Sequence, residues 1–452
     1  MVILTNCTKK QKKLSKTYEE VFGMKKVVSI LFTVLLVSFA FSQVEIEFWH
    51  GMGGQLGETL NSLVDTFNRE NPDVHVSAIY VGNYSALNQK LLSTITAYSQ
   101  GSTTDLPTLS QAYGNWTAMY LFSDVVQPLN GYIEKDPEFK EAWDNQIFPV
   151  LKDLVTWGDT VYGIPFNKSV YVYYYNPDLF DLFGIDPPKT MDELWEVSEL
   201  LTMDLDMDGE TDQYGLGARN FIDDFQIFLY AYNATFLEYV GDGKYRVVLP
   251  EEETKEVLTF IKNLKDSGYA LFQNAYLDPQ FGSGEIAAYM GTVAGLTYAE
   301  QSSRGKHGVA WAPLPSVDGV PHSPIAGTDV IMFNWVSQEQ KDAAWRFLKF
   351  LMDPVNVAYW SINTGYVPIR RDVEEVPQWQ AYTATDDKPS IALNELETAI
   401  PDPKPAAWND IRNDISTLFA NFLNDMATVD ETYDAIVNTL ETGLKETGEY
   451  AE

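Results

Sequence analysis

The clearest hydrophobic pattern begins just after residue 43. Apolar residues alternate with glutamates over residues 44–48, which predicts a strand that ends near Trp49. After a glycine-rich turn at 51–54, apolar residues recur at helical spacing until Asn71-Pro72, and residues 74–81 resemble a second strand. Strand, helix and strand in this order form a βαβ unit, so we expect an α/β fold with a mainly parallel sheet. Ligands bind such sheets beyond the carboxyl ends of the strands.

A second pattern runs from Val161 to Asn176. Taken as a strand with period 2, it places Asn167, Ser169 and three tyrosines on one side and Lys168 on the other. Pro165 cannot donate a backbone hydrogen bond, which suits the entry to a strand or an edge position. We interpret this stretch as a segment that passes from one lobe to another and lines the cleft between them.

Helical patterns dominate the rest of the chain. Thr190 and Glu193 form a capping-box signature for a helix over 191–201. Further helices are predicted over 252–264 and 340–351 and in the tail from Asn409. A chain of 452 residues exceeds the size of a single core, and no repeat or long linker divides it. Two lobes interleaved by chain crossings are therefore expected.

The first 42 residues carry a targeting pattern. Lys25 and Lys26 precede an apolar run over 27–41, and small residues lie before a cut ahead of Gln43. We predict a secretory signal peptide, a true start at Met24 and a periplasmic or extracellular location. The only cysteine, Cys7, lies in this leader, so the mature chain would have no disulfide, thiol nucleophile or lipidated cysteine.

The charge balance excludes one class of function. The formal net charge is −33, and removing the seven Lys/Arg and two Asp/Glu of residues 1–42 leaves 24 against 62, or −38. Such a field repels nucleic acid, which is not expected as a partner. The four histidines show no metal-ligand spacing, and no nucleophile-elbow or phosphate-loop pattern is present in the sequence.

Several segments resemble the extracellular solute-binding proteins of family 1, the capture subunits of ABC importers, and in particular the glycerol-phosphate-binding members. The segments that carry the resemblance are Phe48-Trp49-His50-Gly51, Phe67-Asn68-Arg69-Glu70-Asn71-Pro72, Gly82-Asn83-Tyr84, Pro165-Phe166-Asn167, Tyr174-Tyr175-Asn176, Pro188-Lys189-Thr190 and Thr364-Gly365-Tyr366-Val367-Pro368-Ile369. They run in order across nearly the whole mature chain.

The resemblance implies two α/β lobes that close on a ligand by a hinge motion. Residues 43–165 plus 326–368 would form the N-terminal lobe, and 166–325 plus 369–452 the C-terminal lobe. The partners implied are a small solute and the membrane permease subunits of an importer, with the protein acting as a monomer.

The family's ligand contacts transfer residue by residue. The resemblance implies ligand binding by Tyr84, Ser169, Thr292, Gly327 and Tyr366. Two positions depart from the pattern. The family's acid aligns with Gly114, and the family's phosphate-binding arginine falls in residues 401–406, where no arginine is present.

These departures leave two ligand classes open. Glycerol 3-phosphate or a related phosphodiester, implied by the resemblance, is the first expectation and a neutral sugar the alternative. The missing arginine weakens the first, because a bidentate arginine is the strongest protein group for phosphate. A neutral sugar or oligosaccharide fits the abundance of aromatic side chains, 13% of the chain. An ammonium of Lys168 directed into the cleft would favour the anion, and one directed to solvent would favour the sugar.

One acidic stretch matches the first nine positions of a calcium loop. Carboxylates recur at alternate positions and Gly209 permits the sharp turn, but Gly215 stands where an EF-hand needs its bidentate glutamate. A structural calcium ion is therefore a candidate cofactor, and a solvated acidic turn is the alternative. The candidate ligands are Asp204, Asp206, Asp208, Glu210 (through its carbonyl) and Asp212.

Two classes of function remain. A non-catalytic capture protein, without catalytic residues or a catalytic cofactor, is the first. A secreted glycoside hydrolase is the second, and it needs two carboxylates placed across the scissile bond. None of the motifs that would lie at the cleft supplies such a pair, so we expect a binding protein.

Overall fold

The computed structural model describes residues 43–452, so the predicted signal peptide, Met24 and Cys7 lie outside the described residues. Its first part, up to residue 161, contains these elements: β1 (Val44–His50), α1 (Gly54–Glu70), β2 (Val74–Tyr80), α2 (Tyr84–Ser99), β3 (Leu109–Ala112), α3 (Gly114–Leu121), α4 (Asn130–Ile133), α5 (Pro137–Asn145), α6 (Pro149–Leu154), β4 (Thr156–Trp157) and β5 (Thr160–Val161). The predicted βαβ unit is confirmed, with β1 and β2 parallel.

The middle part begins with the 13-residue strand β6. Its elements are β6 (Gly163–Tyr175), α7 (Pro177–Phe183), α8 (Met191–Leu200), β7 (Leu216–Arg219), α9 (Ile222–Ala231), β8 (Leu237–Gly241), β9 (Lys244–Val247), α10 (Glu251–Asp266), β10 (Ala270–Gln273), α11 (Asp278–Ser283), β11 (Ala288–Thr292), α12 (Leu296–Ser303), β12 (Ala310–Ala312) and β13 (Ile325–Met332). The capping box of Thr190 and Glu193 at the start of α8 is confirmed.

The last part is helical, as its apolar spacing predicts. It comprises α13 (Gln338–Leu351), α14 (Pro354–Thr364), α15 (Pro377–Thr383), α16 (Lys388–Glu395), α17 (Trp408–Leu423) and α18 (Val429–Glu446). The predicted helices over 252–264 and 340–351 correspond to α10 and α13.

Strand β6 joins the two halves of a nine-stranded mixed sheet with the order β10-β7-β11-β6-β13-β3-β1-β2, in which β12 also pairs with β6. Its first residues pair with β13, and residues 171–175 pair with β11. A register shift between Thr328 and Asp329 leaves Phe166 as an extra residue, a β-bulge. The backbone N–H of Val367 also donates to the Lys168 carbonyl (2.9 Å), so three chain segments meet at Lys168.

The buried hydrophobic side chains of residues 43–452 form three clusters. We call the cluster that includes Phe48, Phe67 and Phe347 the first core. The second core includes Phe225 on α9 and Trp408 on α17. The third core includes Trp116 on α3. Strand β6 contributes side chains to the first and second cores.

Glu395 provides a pH-dependent test of this packing. Its side chain is 1% exposed, one carboxyl oxygen accepts from the Leu314 N–H (3.2 Å), and burial raises its pKa to about 8. Because the pKa of Glu395 is higher in the folded than in the unfolded state, its neutral form contributes to the free energy of unfolding. This contribution is complete below the unfolded-state pKa of about 4.5 and is lost as the pH rises through about 8.

We therefore expect Glu395→Gln to unfold with a free energy about 2–4 kcal/mol higher than the wild type at pH 9, with a much smaller difference at pH 5. Chemical denaturation at both pH values measures this. Glu252→Gln, at an exposed position on α10, is the matched control. Equal pH dependence in the Glu395→Gln variant and the wild type would contradict the expectation.

Candidate functional site

A cavity of about 310 Å³ is lined by side chains of all three cores. Tyr113 and Trp116, at and just after the start of α3, line the side of the third core. Asp223 on α9 and Arg412 on α17 line the side of the second core, and Lys168 lies at the strand crossing. The walls therefore combine aromatic rings with charged groups, which suits a polar ligand with an apolar face.

Arg412 is held between two carboxylates. Its guanidinium donates to Asp223, and Asp402 lies 3.7 Å from it. Burial opposes ionisation of Asp223, but Arg412 and Arg219 more than offset it and lower its pKa. Burial raises the pKa of Asp402, which Arg412 offsets only in part. The charge of Arg412 is therefore already compensated.

Asp402 is also fixed by neutral donors. Gln226 on α9 donates its amide N–H to one carboxyl oxygen of Asp402 (3.1 Å), and the Trp408 indole N–H donates to the other (3.3 Å). Trp408 and Arg412 lie one turn apart on α17, so the helix presents both to the cavity. The arrangement holds hydrogen-bonding groups at fixed positions around an open volume.

Lys168 is the second cation of the cavity. Its ammonium lies 2.7 Å from the Asp329 carboxylate, with both side chains almost completely buried. Burial raises the pKa of Asp329, and Lys168 opposes that rise. Lys168 is therefore paired with Asp329 and shielded from solvent. The sequence left open an ammonium that points into the cleft or one that points to solvent, and the structure shows neither a free charge in the cleft nor exposure to solvent.

The five ligand residues implied by the resemblance are distributed over different places, and of these only Gly327 lines the cavity. Tyr84 lies behind Tyr113, their ring centroids 5.4 Å apart, and its hydroxyl accepts from the Asn167 amide (3.0 Å). Burial raises the pKa of Tyr84, and the Tyr366 and Tyr113 hydroxyls add to that rise. These tyrosines therefore form a buried hydroxyl cluster next to the cavity.

Ser169 and Thr292 occupy the strand crossing. The Ser169 hydroxyl accepts from the Ala294 N–H (3.4 Å), and the Thr292 carbonyl accepts from the Tyr174 hydroxyl (2.8 Å). Their roles as ligand contacts, like those of Tyr84 and Tyr366, stay predictions.

Gly114, where the resemblance implies an acid, packs closely against Lys404. A Cβ at this position would lie 3.1 Å from the Cβ of Lys404 and 3.4 Å from the Leu154 carbonyl oxygen. A side chain at 114 would therefore be crowded against Lys404, which itself lines the cavity.

The sequence reasoning missed Arg412, Asp223 and Asp402. It looked for an arginine within residues 401–406, whereas the cavity receives one from the first turns of the following helix. The signal was the pair Trp408 and Arg412, which share a helix face next to the buried Ile411 and Ile415.

Comparisons with known proteins identify the family. The family described as "Bacterial extracellular solute-binding protein" matches residues 62–386. The chain belongs to this family. It is therefore a solute-binding subunit of an ABC importer and not an enzyme. The α/β two-lobe fold that the sequence predicts agrees with the solved structures that it resembles.

Curated relatives include the sn-glycerol-3-phosphate-binding periplasmic protein UgpB of Pectobacterium atrosepticum, 27% identical over 86% of this chain and 87% of the relative. UgpB of Salmonella paratyphi A is 29% identical over 80% of this chain and 83% of the relative. Among solved structures, UgpB from Mycobacterium tuberculosis in complex with glycerophosphocholine has a TM-score of 0.74 at 23% identity, covering 89% of this chain and 99% of that one. The sugar-binding protein MalE from Xanthomonas citri has a TM-score of 0.75 at 20% identity, and the match covers 90% of this chain and 98% of that one.

The acidic loop is well formed, although its five candidate ligands are not all together. Carboxylate oxygens of Asp204, Asp206 and Asp208 lie within 4.8 Å of one another. Asp212 instead accepts from the backbone N–H groups of Leu205 (2.8 Å) and Asp206 (3.2 Å). Glu210 donates its own N–H to Asp208 (2.8 Å).

Among residues 43–452, none of the helices combines the length and apolarity needed to cross a bilayer.

Proposed function

We propose that the cavity between the cores captures a neutral, hydroxyl-rich solute, a sugar or short oligosaccharide. The observation that carries the proposal is that the basic side chains lining the cavity already have carboxylate partners. Arg412 has Asp223 and Asp402, Lys168 has Asp329, and Lys404 has Asp153 at 3.7 Å. A phosphate would have to displace one of these partners, whereas hydroxyl groups can donate to the carboxylates and accept from the guanidinium.

The aromatic walls support the same ligand class. Tyr113, Trp116, Tyr171 and Trp408 all border the cavity, and ring faces provide apolar surface against which a sugar ring packs. Its volume of about 310 Å³ lies at the lower end of the range for small-molecule pockets, roughly 300–1,000 Å³. A single sugar or a short oligosaccharide is the matching size class.

Glycerol 3-phosphate or a related glycerophosphodiester is the second candidate. Arg412 supplies a planar donor group at the cavity, although not at the position implied by the resemblance. The curated UgpB relatives favour this ligand. Because two aspartates flank Arg412, we rank this ligand below the neutral one.

A thermal-shift panel separates the two classes. Neutral mono- and oligosaccharides, glycerol 3-phosphate and glycerophosphodiesters are added at equal concentrations, and a ligand at 100 times its Kd stabilises by about 2.7 kcal/mol. We expect at least one neutral sugar to raise the Tm. Stabilisation by phosphorylated ligands alone would overturn the proposal.

Asp223→Asn should reverse the preference. Removing this carboxylate loses a charged acceptor and frees Arg412, so we expect about 10- to 100-fold weaker binding of the neutral ligand and stronger binding of glycerol 3-phosphate. Calorimetric titration of the variant measures both. Asp414→Asn, at an exposed position of α17, is the control. Equal loss in the two variants would contradict a role for Asp223.

The acidic loop is proposed to hold a structural calcium ion through Asp204, Asp206, Asp208, Asp212 and the Glu210 carbonyl. Support comes from the three clustered carboxylates, since Ca²⁺ prefers oxygen ligands. Calcium should raise the Tm of a chelator-treated sample, and Asp206→Ala should abolish the rise. An unchanged Tm in both proteins would dismiss the site and leave a solvated acidic turn.

The wider organisation stays part of the proposal. Residues 43–165 plus 326–368 and 166–325 plus 369–452 are proposed as lobes that close around the solute, with the crossing at β6 and β13 as hinge. The secreted, monomeric chain would then deliver the solute to membrane permease subunits.

A further inference from the structure

Lys404 lies on a segment that is attached to the second core. The Glu449 carboxylate, just after α18, accepts from the backbone N–H groups of Ala406 (2.8 Å) and Ala407 (3.2 Å). Prolines at 401, 403 and 405 further restrict this segment. The position of Lys404 is therefore set by the second core.

Its ammonium, in contrast, contacts residues of the proposed N-terminal lobe (43–165). It donates to the backbone carbonyl oxygens of Asp153 and Thr156, the latter at 2.7 Å, and lies 4.8 Å from the centre of the Trp157 ring. The Asp153 carbonyl belongs to the last turn of α6, and the Thr156 carbonyl to the first residue of β4. Helix C-terminal carbonyls lack helical partners and carry the negative end of the helix dipole, so a cation is stabilised there.

The contact is enclosed. Lys404 is 5% exposed, and its stem packs against Gly114 at the cavity wall. If the proposed lobes moved apart, the ammonium would exchange two carbonyl acceptors and an aromatic face for water. The same movement would open the wall that the stem completes. The closed arrangement therefore contains a favourable interaction that an open one lacks.

We propose that Lys404 is a positioning residue, an interlobe latch that stabilises the closed form of the ligand cavity. The proposal rests on the proposed capture function, because a protein that captures a solute between its lobes must open to admit it. By raising the closed population, the latch would slow ligand release and increase affinity.

The latch is tested without ligand. Two exposed positions, Asp65 on α1 and Asn438 on α18, are replaced by cysteine in the full chain carrying Cys7→Ser, and spin labels report the interlobe distance by pulsed electron paramagnetic resonance. We expect Lys404→Met to lower the ratio of short to long distances about tenfold. Lys404→Arg, which keeps the cation, should stay close to the wild type.

Lys349→Met is the matched control, because Lys349 pairs with Asp136 (2.6 Å) next to the first core alone. An unchanged distance distribution in Lys404→Met, or an equal shift in Lys349→Met, would overturn the proposal. Lys404→Gln is measured in parallel, so a methionine variant that fails to fold by circular dichroism still leaves a decisive comparison.

The result is independent of the ligand's identity. If no neutral sugar binds, the proposed ligand class fails while the distance measurement still decides the latch. If a sugar binds and Lys404→Met leaves both the distances and the dissociation rate unchanged, the latch fails and the function stands.

Discussion

Gly327→Ala is expected to prevent correct folding of the strand crossing. Gly327 has φ +93°, and a Cβ there would lie 1.9 Å from the Asn167 carbonyl oxygen. Since the clashing atom belongs to the backbone of the paired strand β6, no side-chain rotation relieves it. We expect a loss of at least about 4 kcal/mol in unfolding free energy, or no soluble protein.

Gly241→Ala is the control for this variant. Gly241 has a similar φ of +100°, but a Cβ there meets no atom within 4 Å. Gly241→Ala should lower the free energy of unfolding only by the strain of the backbone conformation, about 1–2 kcal/mol. Chemical denaturation compares the two variants, and equal losses would contradict the close approach at the crossing.

Lys168→Met is expected to have the second largest effect. It leaves the Asp329 carboxylate buried without its cation, which costs about 3–5 kcal/mol. Because the pKa of Asp329 is already raised by burial and loses the opposing effect of Lys168, the variant should regain stability as the pH falls and the carboxyl is protonated.

The double variant Lys168→Met with Asp329→Leu separates a lost pair from a stranded charge. We expect it to recover most of the stability, since a buried ion pair is often replaceable by apolar side chains. Denaturation at pH 5 and pH 7.5 measures all three proteins. A double variant as unstable as the single one would show that the pair itself, not the unpaired Asp329, determines the loss.

Local patterns predicted much of the fold. The alternation over 44–48 and the helical spacing that follows define β1 and α1, and the side chains of Thr190 and Glu193 define the start of α8. These signals are strong because each depends on neighbours within a few residues.

The antiparallel strands were not predicted in the same way. Strand β13 pairs with both β3 and β6 across more than 150 residues of chain. Period 2 shows which side chains share a face but not which strand lies beside them. The expected mainly parallel sheet is consequently a mixed one.

The candidate site depended still more on distant contacts. Period 2 predicts that Lys168 and Ser169 lie on opposite faces of the strand. In the structure Lys168 lines the cavity, whereas the Ser169 hydroxyl accepts from the Ala294 N–H. It could not reveal Asp329, 161 positions away, as the partner that neutralises Lys168. Likewise, the pairing of Arg412 with Asp223 joins two helices whose approach only the folded chain defines.

Calorimetric titration with a matched ligand pair tests the central claim most directly. The pair consists of the neutral sugar that gives the largest thermal shift and the same sugar carrying a phosphate. Because the cations of the cavity are already paired, we predict at least about 100-fold tighter binding of the neutral form, a difference of about 2.7 kcal/mol. Equal or tighter binding of the phosphorylated form would contradict the account.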